Sequence, residues 1–295
     1  MPELPEVETI RLQMDQFLKG LKITGIKVLN PKSFQGKEKE AEGKKVVRVR
    51  RRAKMVLIEL EDGLCLAIHL KLTGQLIYRD KRQEISNKEI CEKEGPFAVC
   101  ELPNKFTRVI ITFDNGGKLY FNDLRTFGWI KIIQSSKFKV QSCEQISGLG
   151  KLGPEANDEK AFTLDYFKEI LSKTKKPIKL VILDQEKLAG VGNIYANEAL
   201  FMAGVMPTRP ANSLSGEEIR KLREAIIKVL NESIKFKGTS DKDEAYRQLS
   251  GEKGEYQFRL RVYDKTGQKC PGCSGTIKRI AVGGRGTFFC PECQK

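Results

Sequence analysis

Near the C-terminus two Cys-x-x-Cys pairs, Cys270 with Cys273 and Cys290 with Cys293, stand sixteen residues apart. This spacing constrains the chain more than any other feature. Four thiolates so arranged supply the closed tetrahedral shell of a structural Zn2+ site, which folds a short finger that buries too little surface to fold unaided. The N-terminus, MPELPEVETI, has Glu and Pro where a secretory signal needs basic and then apolar residues. A cytoplasmic location and reduced thiols are therefore expected. The remaining cysteines, Cys65, Cys91, Cys100 and Cys143, read as ordinary buried or incidental thiols. Inside the finger, Lys278, Arg279 and Gly283-Gly284-Arg285-Gly286 are basic and glycine-rich, which puts Arg285 on a turn at the tip. Read locally, a solvated turn explains that segment equally well.

A length of 295 residues exceeds the usual single domain and suggests two domains with a small appendage. Lys and Arg number 53 against 38 Asp and Glu, a formal charge of +15 that favours a polyanionic partner, nucleic acid first. Hydrophobic residues at 40% exclude wholesale disorder, and no apolar run approaches the ~20 residues of a membrane span.

Up to about residue 134 the pattern is strand-like, after a first helix over Val7 to Leu18 that places Ile10, Met14, Phe17 and Leu18 on one side. Met55–Leu60, Glu61-Asp62-Gly63 and Leu64–Leu70 predict a hairpin, since Asp-Gly accepts the positive φ of a tight turn. Val109–Phe113, Asp114-Asn115-Gly116-Gly117 and Lys118–Phe121 repeat the device, and strands joined this way favour a β-sandwich or barrel. A linker is expected over 135–154, ending at Gly153-Pro154. The second half turns helical. Ser215 and Glu218 have the spacing of a capping box, followed by Ile219, Leu222, Ile226, Val229, Leu230 and Ile234, with Gly238 ending the helix. From Gly238 to Gly254 the polar composition predicts a mobile loop.

Between Lys32 and Lys54 ten Lys/Arg face three Glu, and Arg50-Arg51-Arg52-Ala53-Lys54 leads into an apolar strand. Such a run is commonly a solvated face, but a Lys54 held at a strand entrance would suit phosphate contact or catalysis. His69 is the single histidine, which excludes a histidine metal site and a Ser-His triad. On its own it reads most simply as a structural residue. Arg125 and Phe127, in Asn122-Asp-Leu-Arg-Thr-Phe-Gly128, have the chemistry to enter a base stack, although Phe127 equally suits a core. Pro2 is small enough for removal of the initiator methionine, and its secondary amine, with a pKa well below lysine, would be a nucleophile for an aldehyde carbon. Glu3 and Glu6 then lie beside it, one as an acid and one as a partner of the helix dipole. Without further context the same residues describe a helix start.

Taken together, Met-Pro-Glu-Leu-Pro-Glu-Val-Glu at the N-terminus, Arg-Arg-Ala-Lys54, His69-Leu-Lys-Leu-Thr-Gly74, Gly190-Val-Gly-Asn-Ile-Tyr-Ala196 and the four-cysteine finger resemble the bacterial formamidopyrimidine-DNA glycosylase family, in order and over the whole chain. The resemblance implies an α+β fold with an N-terminal β-sandwich catalytic domain (1–134), the linker (135–154), a helix-two-turns-helix domain (155–240), a lesion-capping loop and connecting strand (241–264) and a zinc finger (265–295). It implies excision of oxidised purines such as 8-oxoguanine and formamidopyrimidines, then nicking of the abasic strand, by a monomer that holds double-stranded DNA between its halves. By the same resemblance Pro2 is the nucleophile at C1′ of a nucleotide flipped from the duplex. Glu3 opens the sugar ring, and Glu6 orders the site. Lys54 grips phosphate and assists β-elimination, and Arg285 serves δ-elimination and phosphate grip. His69, Asn193 and Arg279 are DNA contacts, Lys179 lies near the damaged base, and Tyr256–Tyr263 is the strand into the finger.

The family fills the vacated space with Met, Arg and Phe, and Leu72, Arg125 and Phe127 stand there in this chain. Leucine remains an apolar wedge, so the departure bears on opposite-base preference. Phe106 replaces a common DNA-contacting histidine, which leaves Lys105 or Arg108 for that phosphate. The capping loop also departs from the commonest members. Two rivals remain: an endonuclease VIII-like glycosylase for oxidised pyrimidines, which usually carries Gly where Leu4 stands, and a non-catalytic DNA-binding protein, for which Pro2, Glu3 and Lys54 together are unnecessary.

Overall fold

Helix α1 (Leu4–Leu18) starts ahead of the expected Val7 because Glu3 and Glu6 form a capping box and a proline occupies the first turn. Ile10, Met14 and Leu18 are fully buried, whereas Phe17, at the edge of the apolar stripe, is 39% exposed and stacks on Tyr78 with ring centroids 6.0 Å apart. This computed structural model describes residues 2–80, 101–134, 150–240 and 246–295. Cys91, Cys100, Cys143 and most of the expected linker lie outside the described residues. The chain divides into two units, Met1–Gly150 with Phe236–Gln257, and Lys151–Lys235 with Phe258–Lys295.

In the first unit two sheets face one another across a single apolar core. The strands are β1 (Ile23–Val28), β2 (Phe34–Gln35), β3 (Val46–Arg52), β4 (Met55–Leu60), β5 (Leu64–His69), β6 (Gly74–Arg79), β7 (Thr107–Phe113), β8 (Lys118–Asp123) and β9 (Trp129–Gln134). One sheet runs β1-β7-β8-β6, the other β2-β9-β5-β4-β3, with only the β2–β9 pair parallel. Alternate residues of both sheets, among them Ile58, Leu66, Ile68, Leu76, Val109 and Phe121, meet the buried face of α1. The two expected hairpins form at Asp62-Gly63 and Gly116-Gly117, with Asp62 at φ 58° and Gly116 at φ 79°.

Of the segment expected to be a mobile loop, 241–245 lie outside the described residues, while 238–240 and 246–249 are buried. Tyr246 and Leu249 belong to the sandwich core, the Tyr78 N–H donates to the Leu249 carbonyl at 3.0 Å, and Gln13 bonds Gln248 at 2.9 Å. Gln13 of α1 also accepts the Leu249 N–H at 2.9 Å, and Arg79 of β6 donates to the Ser250 carbonyl at 2.7 Å, so backbone and side-chain groups of the segment are satisfied by α1 and the sheet.

The second unit holds α2 (Leu164–Ser172), α3 (Ile178–Leu183), α4 (Asn193–Ala203) and α5 (Gly216–Lys235), then a hairpin of β10 (Lys278–Val282) and β11 (Arg285–Phe289). The capping box before α5 is reciprocal: Ser215 N–H to Glu218 Oε2 at 2.7 Å, Glu218 N–H to Ser215 Oγ at 3.3 Å. Gly238, beyond its last turn, takes φ +80°. No strand forms over 256–263; a 3-10 turn at Tyr256–Arg259 leads into chain that curls about the Glu198 carboxylate. Among the described residues no helix is long and apolar enough to cross a membrane.

Candidate active site

Pro2 and Glu3 are buried at the head of α1. One Glu6 oxygen accepts the Glu3 N–H at 2.8 Å and the other accepts the Thr239 N–H at 2.8 Å, so a single buried carboxylate joins the first turn to a segment 233 residues away. The neighbouring glycine leaves room for this bond. At Gly238 a Cβ would meet Glu6 Oε1 at 3.0 Å, and the residue already takes a left-handed φ.

Lys54 sits on the tight turn from β3 to β4, where Ala53 takes φ 50°, and is only 8% exposed. Glu8 of α1 pairs with Arg51 at 2.8 Å, and Arg51 donates to the Ala53 carbonyl at 3.0 Å, which ties that turn to the helix carrying Glu3. On the adjacent strand His69 lies opposite Met55 and Trp129. Its Nδ1 accepts the Lys71 N–H at 3.0 Å, leaving Nε2–H as the donor. Burial, followed by the charges of Lys71 and Lys54, lowers its pKa to about 3. The imidazole is therefore neutral at ordinary pH, a hydrogen-bond donor rather than a cation. Leu72 follows on the turn before β6, partly buried, while Arg125 and Phe127 project from the turn after β8, Phe127 being 58% exposed. Phe106 lies under Lys105, whose ammonium is 5.1 Å from the ring centroid, and Arg108 Nε donates to the Asp123 carbonyl at 2.8 Å.

In the second unit the finger tip is a Gly283-Gly284 turn with φ +57° and +73°, the two-residue hairpin geometry that only glycine adopts freely. Arg285 leaves it exposed, paired in register with Val282. Arg279 is also exposed, its guanidinium 6.0 Å from the Phe288 ring centroid. Lys179, in contrast, is fully buried. Its ammonium donates to the Gly286 carbonyl at 2.9 Å and Thr287 Oγ1 at 2.8 Å, so it braces the finger hairpin. Asn193, first residue of α4, donates to the same Gly286 carbonyl at 3.2 Å.

Two residues that sequence reasoning missed complete the brace. Asn197 Oδ1 accepts the Phe288 N–H at 2.8 Å, and the fully buried Glu198 accepts the N–H groups of Arg261, Val262 and Tyr263, each at 2.9 Å. Burial pushes the Glu198 carboxyl up, against the pull of those three donors. Their signal was an Asn-Glu pair inside an otherwise apolar helix, since buried polar groups need partners.

The four finger thiols converge, with every Sγ within 4.8 Å of the others. Sγ of Cys270 and Cys293 are 3.7 Å apart, and those of Cys273 and Cys290 are 3.5 Å apart. Zn–S bonds of about 2.3 Å at tetrahedral angles require sulfurs about 3.8 Å apart, so the set fits one Zn2+. Gly272 and Gly275 N–H groups point at Cys270 and Cys273 sulfur at 3.4 and 3.3 Å, as suits thiolates. A Cβ at Gly275 would meet two of the sulfurs at 3.3 Å, so glycine permits the closure.

Comparison with known proteins accounts for this combination. Residues 1–130 match the formamidopyrimidine-DNA glycosylase N-terminal domain, 152–244 the H2TH domain of the same enzymes, and 267–295 the zinc finger found in FPG and IleRS. A formamidopyrimidine-DNA glycosylase of Pelotomaculum thermopropionicum is 39% identical, covering 100% of this chain and 99% of its own. The crystal structure of the MutM (Fpg) protein of Thermus thermophilus superposes with a TM-score of 0.84 at 36% identity, over 99% of this chain and 98% of that one. A complex of Lactococcus lactis Fpg with abasic-site DNA gives a TM-score of 0.84 at 32% identity, over 100% of both chains. Fold and finger thus define a zinc-finger glycosylase of the helix-two-turns-helix class. The chain belongs to the formamidopyrimidine-DNA glycosylase family.

Proposed function

We propose that Pro2, freed of Met1, is the nucleophile of this chain, with Glu3 as its acid and Glu6 as the carboxylate that orders both. The protein is a bifunctional DNA glycosylase and abasic-site lyase of base excision repair, acting on oxidised purines in double-stranded DNA and carrying one structural zinc ion. The observation that carries the residue assignment is the head of α1, where Pro2, Glu3 and Glu6 are buried together on a turn tied to Lys54. Attack of the neutral Pro2 amine on C1′ breaks the glycosidic bond, and the proton lost from the Pro2 nitrogen balances the one taken up by the departing base. Protonation of the ring oxygen by Glu3 opens the sugar and leaves an iminium between Pro2 nitrogen and C1′. Loss of a C2′ proton then expels the 3′ phosphate, with Lys54 and His69 on phosphate oxygens, and Arg285 serves the second elimination.

Asn193 and Arg279 add phosphate contacts, and Leu72, Arg125 and Phe127 enter the space left by the flipped nucleotide. Lys179 acts indirectly, through the hairpin that presents Arg285, because its ammonium has no exposed surface to offer a base. With Arg108 bonded to the Asp123 carbonyl, Lys105 is the cation assigned to the phosphate that a histidine takes in other members. The domains assigned are a catalytic sandwich (1–134), a helix-two-turns-helix region (155–240) and a finger (265–295), working as a monomer on DNA in the bacterial cytoplasm.

Borohydride trapping on a duplex with 8-oxoguanine opposite cytosine, followed by mass mapping, tests this reading. A cross-link at Pro2, lost in Pro2→Gly while salt-dependent DNA binding persists, is the expected result. Cross-linking only to an oxidised pyrimidine would move the chain to the endonuclease VIII-like branch. Free Pro2 with no adduct on any lesion would leave a binding protein.

A further inference from the structure

We propose that Asp123 is the positioning residue that locks together the two turns bearing Leu72, Arg125 and Phe127, and thereby sets the discrimination between opposite bases. The inference rests on the reading that these three side chains enter the duplex. Asp123 is the last residue of β8, is 1% exposed, and pairs in register with Gly74 at the start of β6. Its Oδ1 accepts the Thr73 hydroxyl at 2.5 Å and the Arg125 N–H at 3.1 Å, while Oδ2 accepts the Gly128 N–H at 2.7 Å. Thr73 adjoins Leu72, and its Oγ1 also accepts the Arg125 N–H at 3.0 Å. One carboxylate therefore spans the Leu72 turn and both ends of the turn that carries Arg125 and Phe127.

The surroundings fix the carboxylate in turn. Asp123 N–H donates to the Phe106 carbonyl at 2.9 Å, Arg108 holds the Asp123 carbonyl, and a Cβ at Gly128 would meet Oδ2 at 3.1 Å and Phe121 at 2.8 Å. Both turns contain a non-glycine residue at positive φ, Lys71 at 52° and Thr126 at 57°, conformations that persist only where neighbouring bonds over-determine them. Phe127 stays in water in the free protein although an apolar ring favours burial, so something must hold the turn open. Reading a base edge by a guanidinium requires placement to within about 0.5 Å. The bracket supplies that placement without touching DNA.

The test compares Thr73→Val with Thr73→Ser in the full chain, with Asp123→Asn and Arg125→Ala alongside. The readouts are excision of 8-oxoguanine opposite cytosine relative to adenine, and nicking of an abasic site in single-stranded DNA, where no opposite base exists. Loss of both hydrogen bonds of the Thr73 hydroxyl, to Asp123 and from Arg125, in Thr73→Val is expected to lower the opposite-base ratio about tenfold, with Thr73→Ser retaining it and single-strand nicking within about twofold in both. Asp123→Asn, whose amide turns a donor toward an N–H, is expected to lower the ratio further; if that variant does not fold, the threonine pair still decides. Equal ratios in Thr73→Val and Thr73→Ser, with the ratio lost in Arg125→Ala, overturn the bracket alone. An unchanged ratio in Arg125→Ala overturns the reading of the turns on which the bracket depends.

Discussion

The neutral His69 makes a prediction that can be followed at one atom, because the chain has a single histidine. Its pKa of about 3 lies well below the ordinary 6.5, the first cause being burial and the second the charges of Lys71 and Lys54. A folded state that resists protonation binds fewer protons than the unfolded chain. The stability it contributes is thus complete above the unfolded value and is lost as pH falls from 6.5 toward 3. At pH 5, about 1.5 units below the unfolded value, the loss works out at about 2 kcal/mol relative to pH 7.5. Urea unfolding at the two pH values should show this decrement in the wild type and not in His69→Gln, whose other titrating groups are unchanged. The imidazole ring protons, followed by NMR, should not titrate between pH 5 and 8. Titration near 6.5, or equal losses of stability in both proteins, would refute the argument that burial and two lysines keep the ring neutral.

Two further outcomes follow from the second unit. Glu198→Gln places an amide where a carboxylate accepts three N–H groups, leaving at least one donor unmatched. Stability should fall by about 1–3 kcal/mol, with faster hydrogen exchange at 261–263. Metal analysis should find one zinc per chain, reduced in Cys290→Ser, and stripping the metal should abolish exchange protection in β10 and β11 while α5 keeps its own; protection surviving in the metal-free finger would contradict a folding role for zinc.

Where structure follows local rules, it was legible. Asp62-Gly63, Gly116-Gly117 and Gly283-Gly284 announce their hairpins through the φ angles they tolerate, Ser215 and Glu218 announce a helix, and the cysteine spacing announces the metal centre. Pro2, Glu3 and Lys54 needed the family resemblance, since each has an ordinary local meaning. Features that failed to show were long-range. The described part of the supposed mobile loop is bonded to Tyr78 and Gln13, and the supposed strand at 256–263 is curled by a carboxylate from α4. No window of a few dozen residues contains both partners. Lys179 illustrates the same limit: the resemblance alone singled it out, and its partners Gly286 and Thr287 lie more than a hundred residues along the chain.

Zinc fingers are commonly handled as cassettes that can be cut from one protein and joined to another. The polar brace described above makes this one a poor cassette. Lys179, Asn193 and Asn197 belong to helices of the preceding region, yet they satisfy backbone and hydroxyl groups of the hairpin. A transplanted segment 267–295 would carry its metal and leave those groups facing either water or an unmatched surface. Exchange of fingers between family members should therefore keep full stability only where the receiving helices offer lysine and asparagine at the same places.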